Sequence, residues 1–387
     1  MYISVNIATH KKREESLKKC LQRILNQDVE ATIINVYLND YKIQPWQKEL
    51  EGKTQINFIE GEDLGAAAKF WYADSQEKGV YITLDDDLKT HPAYIKRLVD
   101  GVFAYPNSVV GFHGTRYNAP IKSYFHDKNR ETYYCVNPLK NDIHVDMLGT
   151  GVLAFRVSMD NHPTLDWFPE PRMTDPYMMK NAREKKVSLV CLGRTFGLVQ
   201  EIDGSQADAI WKSARDNDSK QTKIVQSAKG ERIRPLNIMD KVSRLTKGSL
   251  EWGHIKEILS HKGNLLEFGS GLSTEIFKAS NINVTSFEHD KDYVKNGVKY
   301  KPLEDGWYKL TKTDLKLIGK ADLILVDAPK GKNRCNLPIE ILPKTATIFV
   351  DDCHRFEDMA LAHRIAKNQG RNITILDGVN KKFAIID

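Results

Sequence analysis

Residues 79–88, GVYITLDDDL, decide the reading of the first half of the chain. Val80 to Leu84 are β-branched, aromatic or aliphatic, the composition of a buried strand. Three aspartates, Asp85, Asp86 and Asp87, end it. Working outward, YISVNIA (2–8), ATIINVYLND (31–40) and INFIE (56–60) read as further strands. Leu17, Cys20, Leu21, Ile24 and Leu25 recur at helical spacing and predict an amphipathic helix over 13–26. GEDLGAAAKFWYA (61–73) predicts a loop running into a helix. Downstream, a helix is expected over 92–105 and strands at VVGFHG (109–114) and MLGTGVLAFR (147–156). A helix within 169–186 and a strand at VSLVCL (187–192) follow. This alternation predicts an α/β fold with a largely parallel sheet. Ligands of such sheets bind beyond the C-terminal ends of the strands, where the three aspartates stand.

A second alternating pattern begins near residue 251. NLLEFGSG (264–271) reads as a strand and glycine turn, and NVTSFEHD (283–290), ADLILVDAP (321–329) and ATIFVDDCH (346–354) as strands with polar ends. ITILDG (373–378) and KFAIID (382–387) read as a terminal antiparallel pair. Two domains are therefore expected, at 1–204 and 250–387, joined by a polar helical extension and linker over 205–249. The length, 387 residues, agrees, since single cores stop growing below that size.

Hydrophobic residues make up 41% and charged residues 28%, which excludes a disordered chain. The net charge of +6 is spread out. It suits phosphate-bearing substrates or an anionic membrane surface but does not argue for nucleic acid. Five widely spaced cysteines with no CxxC pair fit a reducing compartment and no zinc site. The chain opens directly in a strand pattern, and no apolar run is long enough to span a membrane. The expected location is cytoplasmic, or peripheral at the inner membrane surface.

Three adjacent carboxylates repel one another, and a cation among them relieves that repulsion. Asp85 and Asp87 share one side if the strand continues through them. Mg²⁺ or Mn²⁺, often shared with substrate phosphates, is then the expected ion. The alternative is a solvated turn that caps the next helix. Asp175, in MTDPYMM before Pro176, has a similar pair of readings: a helix cap, or a base near a reacting hydroxyl. Asp142, His144 and Asp146 are either further ligands or ordinary loop residues.

The first 200 or so residues resemble GT-A glycosyltransferases of the family 2 group. Four segments carry the likeness in order: Ala8-Thr9-His10-Lys11-Lys12-Arg13, Asn39-Asp40, Gly65-Ala66-Ala67-Ala68-Lys69, and the LDDD motif. The resemblance implies a UDP- or GDP-sugar donor. Thr9 and Arg13 would lie beside the nucleotide, Asp40 at its base or ribose, and Lys69 near the nucleotide or phosphates. Asp85 or Asp86 would face the ribose, Asp87 would hold Mn²⁺ or Mg²⁺, and Asp85 is a second candidate ligand. The segment 115–145 reads as polar, aromatic and irregular, an acceptor loop for a glycan or glycolipid. Asp175, at the head of the helix after the strand led by Gly149-Thr150-Gly151, would be the base of an inverting transfer. The family's usual acidic pair is here Thr174-Asp175.

The second domain resembles class I S-adenosylmethionine-dependent methyltransferases. The segment Glu267-Phe268-Gly269-Ser270-Gly271-Leu272-Ser273-Thr274 departs from the GxGxxG spacing of a dinucleotide site. Its glycines allow close backbone approach, and the following helix offers free N–H groups. The resemblance implies S-adenosyl-L-methionine bound by Glu267, Gly269, Gly271, Ser273 and Glu288, the last on the cofactor ribose. Asp327-Ala328-Pro329-Lys330-Gly331 and Asp351-Asp352-Cys353-His354-Arg355 resemble segments of sugar O-methyltransferases, with Ala328 in place of a usual glycine. Asp327, Asp352 and His354 are the catalytic candidates, as metal ligands or as the base, and Asp351 accompanies them; His354 has the best unperturbed pKa for a base, and the alternative is a hydrogen-bonded loop network that supports the fold.

Together these readings describe a bifunctional glycan-modifying enzyme whose oligomeric state is open. The rivals are a glycosyltransferase with an inactive C-terminal binding or assembly domain, and a nucleotidyltransferase. The latter normally begins with a glycine-rich loop that MYISVNIATHKKR lacks. A nucleic-acid methyltransferase would want a basic–aromatic patch.

Overall fold

The computed structural model describes residues 1–118, 120–204, 217–295 and 297–387. They form two compact units, Met1–Asn237 and Ile238–Asp387. The first twelve residues of the expected linker, 205–216, lie outside the described residues. Its remainder carries two short helices, Ser219–Gln226 in the first unit and Met239–Val242 in the second.

The first unit is built on an eight-stranded sheet. Four strands, β1 (Ile3–Thr9), β2 (Ile33–Asn39), β3 (Ile56–Gly61) and β4 (Val80–Asp85), run parallel in the order β3-β2-β1-β4. Beyond β4 come Val152–Arg156, Ser108–Gly111, Ser188–Cys191 and Ile143–Val145. Val152–Arg156 and Ile143–Val145 run against the others, so the sheet is mixed but mostly parallel. The helix Glu14–Ile24 buries Leu17, Cys20, Leu21 and Ile24, the stripe that the spacing predicts.

Three segments differ from their sequence reading. MLGTGVLAFR is two strands: Met147–Leu148 pairs with Gly114–Tyr117 in a small separate sheet, and Val152–Arg156 lies in the main one. The turn Gly149-Thr150-Gly151 divides them. The segment 115–145 is not irregular throughout, since Gly114–Tyr117 and Arg130–Tyr133 form an antiparallel pair. Gly65–Phe70 is a 3-10 turn rather than an α-helix.

The second unit has a seven-stranded sheet. Its order is Val298–Tyr300, Val284–Glu288, Leu265–Phe268, Leu323–Val326, Thr347–Val350, Lys382–Ile386, Ile373–Asp377. The first five are parallel, and Lys382–Ile386 runs against both neighbours. The edge strand Val298–Tyr300 is only three residues long, too short for a pattern to foretell it. The core joins Leu266, Phe268, Phe287, Ile324, Val326, Ile348 and Val350 to Leu361, Ala362 and Ile365 of the helix Phe356–Gln369. All five cysteines are free, and no helix among the described residues is long and apolar enough to cross a membrane.

Candidate functional site

In the first unit the chain steps outward through β1, β2 and β3, then returns to β4 on the other side of β1. Open α/β sheets take ligands in the crevice at such a reversal. Thr9 and Asp85 are the last residues of the two strands that flank it. The register pairs Ala8 with Asp85, which sets Thr9 beside Asp86.

The strand does not continue through the aspartates. It stops at Asp85 and the chain resumes as Leu88–Thr90, paired with Val199–Glu201. The next helix, Tyr94–Ala104, is capped by Ala93, so the aspartates do not cap it. Each takes its own partner. Lys69, only 3% exposed, pairs with Asp85. The Thr9 hydroxyl donates to Asp86 at 2.6 Å, and Arg13 meets Asp87 at 2.9 Å. Burial pushes the Asp86 carboxyl up to about 7, against the Thr9 hydrogen bond. Burial also raises Asp87, with repulsion from Asp85 added. The Asp85 side chain stays 45% exposed and faces the crevice side of a glycine: a Cβ on Gly151 would lie 1.8 Å from its Oδ2. Asp85 and Asp87, the candidate ion ligands, are thus each paired with a basic side chain, and Asp85 is the more open of the two.

Asp175 reaches the same crevice through the turn Gly149-Thr150-Gly151. It lies in the first turn of the helix Thr174–Glu184, whose N-cap is Met173. Its carboxylate does not cap that helix. Its Oδ1 accepts from the Thr150 N–H and the Thr150 hydroxyl, both at 2.8 Å. On the other side of the turn, the Asp85 N–H donates to the Gly151 carbonyl at 2.9 Å. Asp175 and Asp85 are thus tied to one three-residue turn.

Asp40 sits at the exposed end of β2 with a left-handed φ of 54°. Asn39 before it is buried and holds the 64–65 loop through Leu64 N–H and the Gly65 carbonyl. Asp142 is engaged by Arg97, Tyr105 and the Gly193 N–H, and Asp146 by Arg183, Arg232 and the Tyr117 N–H. Both carboxylates are engaged by groups of the first unit itself. His144 lies on the edge strand Ile143–Val145.

The second unit repeats the topological device. Its order reverses between Leu265–Phe268 and Leu323–Val326, whose ends are followed by Gly269 and Asp327. Gly269 has φ 109°, and a Cβ there would meet the Ala328 Cβ at 2.9 Å. A Cβ on Gly271 would meet nothing within 4 Å, so the loop opens to space there. A cavity of about 490 Å³ lies over it, lined by Ser270, Gly271, Thr274, Lys278, Tyr293 and Lys295 among others. Ser273 is buried in the first turn of the helix Leu272–Ala279. Glu267 is beneath the loop and 1% exposed. It accepts from Thr274 at 2.5 Å and Ser286 at 2.6 Å, and burial pushes its carboxyl up to about 7. Glu288 accepts from the N–H groups of Ser270, His289 and Asp290 at 2.7–2.8 Å, which shapes the loop. These glycines, the helix N-terminus and the cavity fit an adenosyl cofactor.

Asp327, Asp351 and Asp352 come together at the neighbouring strand ends, each with an oxygen within 4.8 Å of the others. Burial pushes the Asp327 carboxyl up to about 7, with Asp351 adding repulsion. Burial also opposes charge on Asp352, but Lys381 and Arg334 hold its carboxyl below the ordinary value. His354, two residues beyond Asp352, is exposed to solvent.

No family model matches the chain, and no curated protein matches it. The chain is similar to solved structures of two methyltransferases and of TarS. One is a putative caffeoyl-CoA O-methyltransferase from Staphylococcus aureus, 15% identical, with TM-score 0.25 over 32% of this chain and 75% of that one. Another is a Podospora anserina methyltransferase with S-adenosylhomocysteine bound, 15% identical, with TM-score 0.28 over 38% and 84%. S. aureus TarS is 14% identical, with TM-score 0.33 over 51% of this chain and only 36% of that one. Its shorter form in complex with UDP-GlcNAc gives TM-score 0.32 over 51% and 57%.

Sequence reasoning missed several residues. His113 follows the strand Ser108–Gly111, and its carbonyl accepts from the Gly149 N–H at 2.9 Å. Burial holds its imidazole below the ordinary value against the pull of Asp175. Its ring meets Tyr134 edge-on at 5.5 Å. VVGFHG did carry a signal, a histidine just past an apolar strand. Arg334 and Lys381 carried none, because only the fold brings them to the aspartates.

Proposed function

We propose that the chain is a bifunctional glycan-modifying enzyme. The first unit transfers a sugar from a nucleotide sugar to a glycan or glycolipid acceptor, and the second methylates a sugar hydroxyl with S-adenosylmethionine. The observation that carries the first half is the shared turn: Asp175 and Asp85 are fastened to opposite sides of Gly149-Thr150-Gly151. A base and a phosphate-side carboxylate group therefore flank one crevice.

The residues divide the work. A divalent ion held by Asp85 and Asp87 would supply positive charge to the leaving diphosphate. Arg13 and Lys69 orient the two carboxylates and add positive charge at the same end of the sheet. Asp175 takes the proton of the acceptor hydroxyl. The acceptor oxygen bonds to the anomeric carbon as the bond to the diphosphate oxygen breaks, with inversion. In the second unit, bound S-adenosylmethionine supplies an electrophilic methyl group. The Gly269–Gly271 loop lets the cofactor approach the backbone, and Glu288 holds that loop in shape.

The test is nucleotide release from a panel of UDP- and GDP-sugars with Mn²⁺, Mg²⁺ or EDTA. One donor should be hydrolysed in a metal-dependent way, and Asp87→Ala should abolish the signal. If neither donors nor nucleotides bind by calorimetry, the glycosyltransferase reading is wrong.

A further inference from the structure

Four carboxylates crowd the strand ends of the second unit beyond the glycine loop. Asp327 follows Leu323–Val326, Asp351 and Asp352 follow Thr347–Val350, and Asp358 comes from the helix Phe356–Gln369. The oxygen spacing of the first three, within 4.8 Å, is one that a divalent ion can bridge. The chain has already placed its own cations there. Lys381, 7% exposed, puts its Nζ 3.1 Å from Asp351 Oδ2 and 3.0 Å from Asp352 Oδ1, bridging the pair. Arg334, with a fully buried side chain, lies 3.1 Å from Asp358 and within 3.8 Å of Asp352 and Asp327. Its guanidinium also donates to the backbone carbonyls of Asp327, Pro329 and Asp351, which locks it in place. Arg355 completes the set at 2.9 Å from Asp352.

Counting charge decides what the pocket can accept. Lys381 serves Asp351, Arg355 serves Asp352 and Arg334 serves Asp358, each at 3.1 Å or less. Asp327 alone has no cation this close, since Arg334 is 3.8 Å away. It is also the accessible one: its side chain is 33% exposed, against 7% or less for the other three. A divalent ion held by Asp327, Asp351 and Asp352 would have to displace the buried Lys381 ammonium from the two aspartates it bridges.

We propose that Lys381 and Arg334 take the place of a divalent ion in this pocket, and that Asp327 is the proton acceptor of a metal-independent methyl transfer. The role of Asp327 rests on the methyltransferase reading of this unit; the absence of an ion does not. An Asp327 oxygen takes the proton of the acceptor hydroxyl. The acceptor oxygen forms a bond to the methyl carbon, and the carbon–sulfur bond breaks with its electron pair kept on sulfur, leaving a neutral thioether.

The experiment counts Mn²⁺ bound per full-length chain, from the loss of the free-ion paramagnetic resonance signal. Wild type and Asp352→Asn should bind the same number, because the pocket holds no ion in either. Asparagine tolerates the left-handed φ of 60° at this position, so the variant keeps its backbone. Lys381→Met should bind one more ion, and Lys381→Met with Asp352→Asn should lose it again. One fewer ion in Asp352→Asn than in wild type would overturn the proposal, even if Lys381→Met fails to fold. Methyl transfer by EDTA-treated wild type should be undiminished, while Asp327→Asn should lose it. Calorimetry with S-adenosylhomocysteine reads the other claim separately. No binding would remove the methyltransferase reading and the role of Asp327, while the Mn²⁺ count would still decide the question of the ion.

Discussion

Replacing Gly151 by alanine tests the shared turn of the first unit directly. Gly151 is not in the left-handed region, so alanine costs nothing through the backbone; the conflict is with one side chain. The added Cβ would lie 1.8 Å from Asp85 Oδ2 and 2.3 Å from its Cγ, where no contact is tolerable. Asp85 must rotate off its rotamer, at about 0.5–1.5 kcal/mol. It must also leave Lys69, whose buried ammonium then loses its partner. Because Asp85 is 45% exposed, that second loss is discounted, and the total should be about 1–3 kcal/mol. Urea denaturation of Gly151→Ala in the wild-type and Asp85→Ala backgrounds forms a double-mutant cycle. In the Asp85→Ala background the carboxylate is gone, and the cost of the methyl group should fall to a few tenths of a kcal/mol. Donor hydrolysis should fall about 100-fold in Gly151→Ala alone, the scale of a 1 Å misplacement. An equal cost in both backgrounds would show that Gly151 is needed for some reason other than Asp85.

Asp175→Asn keeps an oxygen to accept from Thr150 but cannot take a proton. Transfer to acceptor should drop by about 10²–10⁴ while the donor dissociation constant, measured by calorimetry, stays within about threefold; an equal loss of donor binding would make Asp175 a structural residue. Glu267 has a folded-state carboxyl pushed up to about 7, so the fold binds its proton more tightly than the unfolded chain does. Its contribution to stability is complete below about pH 4 and is lost as pH rises to about 7, by roughly 2–4 kcal/mol. Glu267→Gln should remove that slope in denaturation curves taken between pH 4 and 8, and an unchanged slope would assign the dependence to other groups.

How far the sequence spoke depends on the range of the interaction. GVYITLDDDL was legible as a strand with an acidic end because burial of Val80–Leu84 is written in their own composition. The glycine turn at Gly269 was legible for a similar reason: positive φ and close approach leave a glycine in place. The break in MLGTGVLAFR was not. Nothing in those ten residues says that Thr150 must turn toward Asp175, or that Gly151 must make room for Asp85. Asp175 itself looked like a helix cap, and only the observed bonds to Thr150 separate it from that role. Resemblance alone places Lys69 near the nucleotide or phosphates, and its buried pairing with Asp85 is set by a strand it does not belong to.

The same limit explains why the two acidic clusters looked alike in sequence and differ in space. Each stands at the end of a strand beside a reversal in sheet order. In the first unit, Asp85 stays 45% exposed although Lys69 pairs with it, while Arg13 pairs with Asp87. A substrate bearing a diphosphate brings negative charge of its own to that crevice, so an added cation is favourable there. In the second unit, Asp351, Asp352 and Asp358 are buried and already matched by Lys381, Arg355 and Arg334. A hydroxyl substrate brings no charge, and of the carboxylates there only Asp327 is left without a close cation. Carboxylates in a row therefore do not by themselves specify an ion. What each cluster can accept depends on the counter-charges that the fold supplies, and those come from residues as distant in sequence as Lys381 is from Asp327.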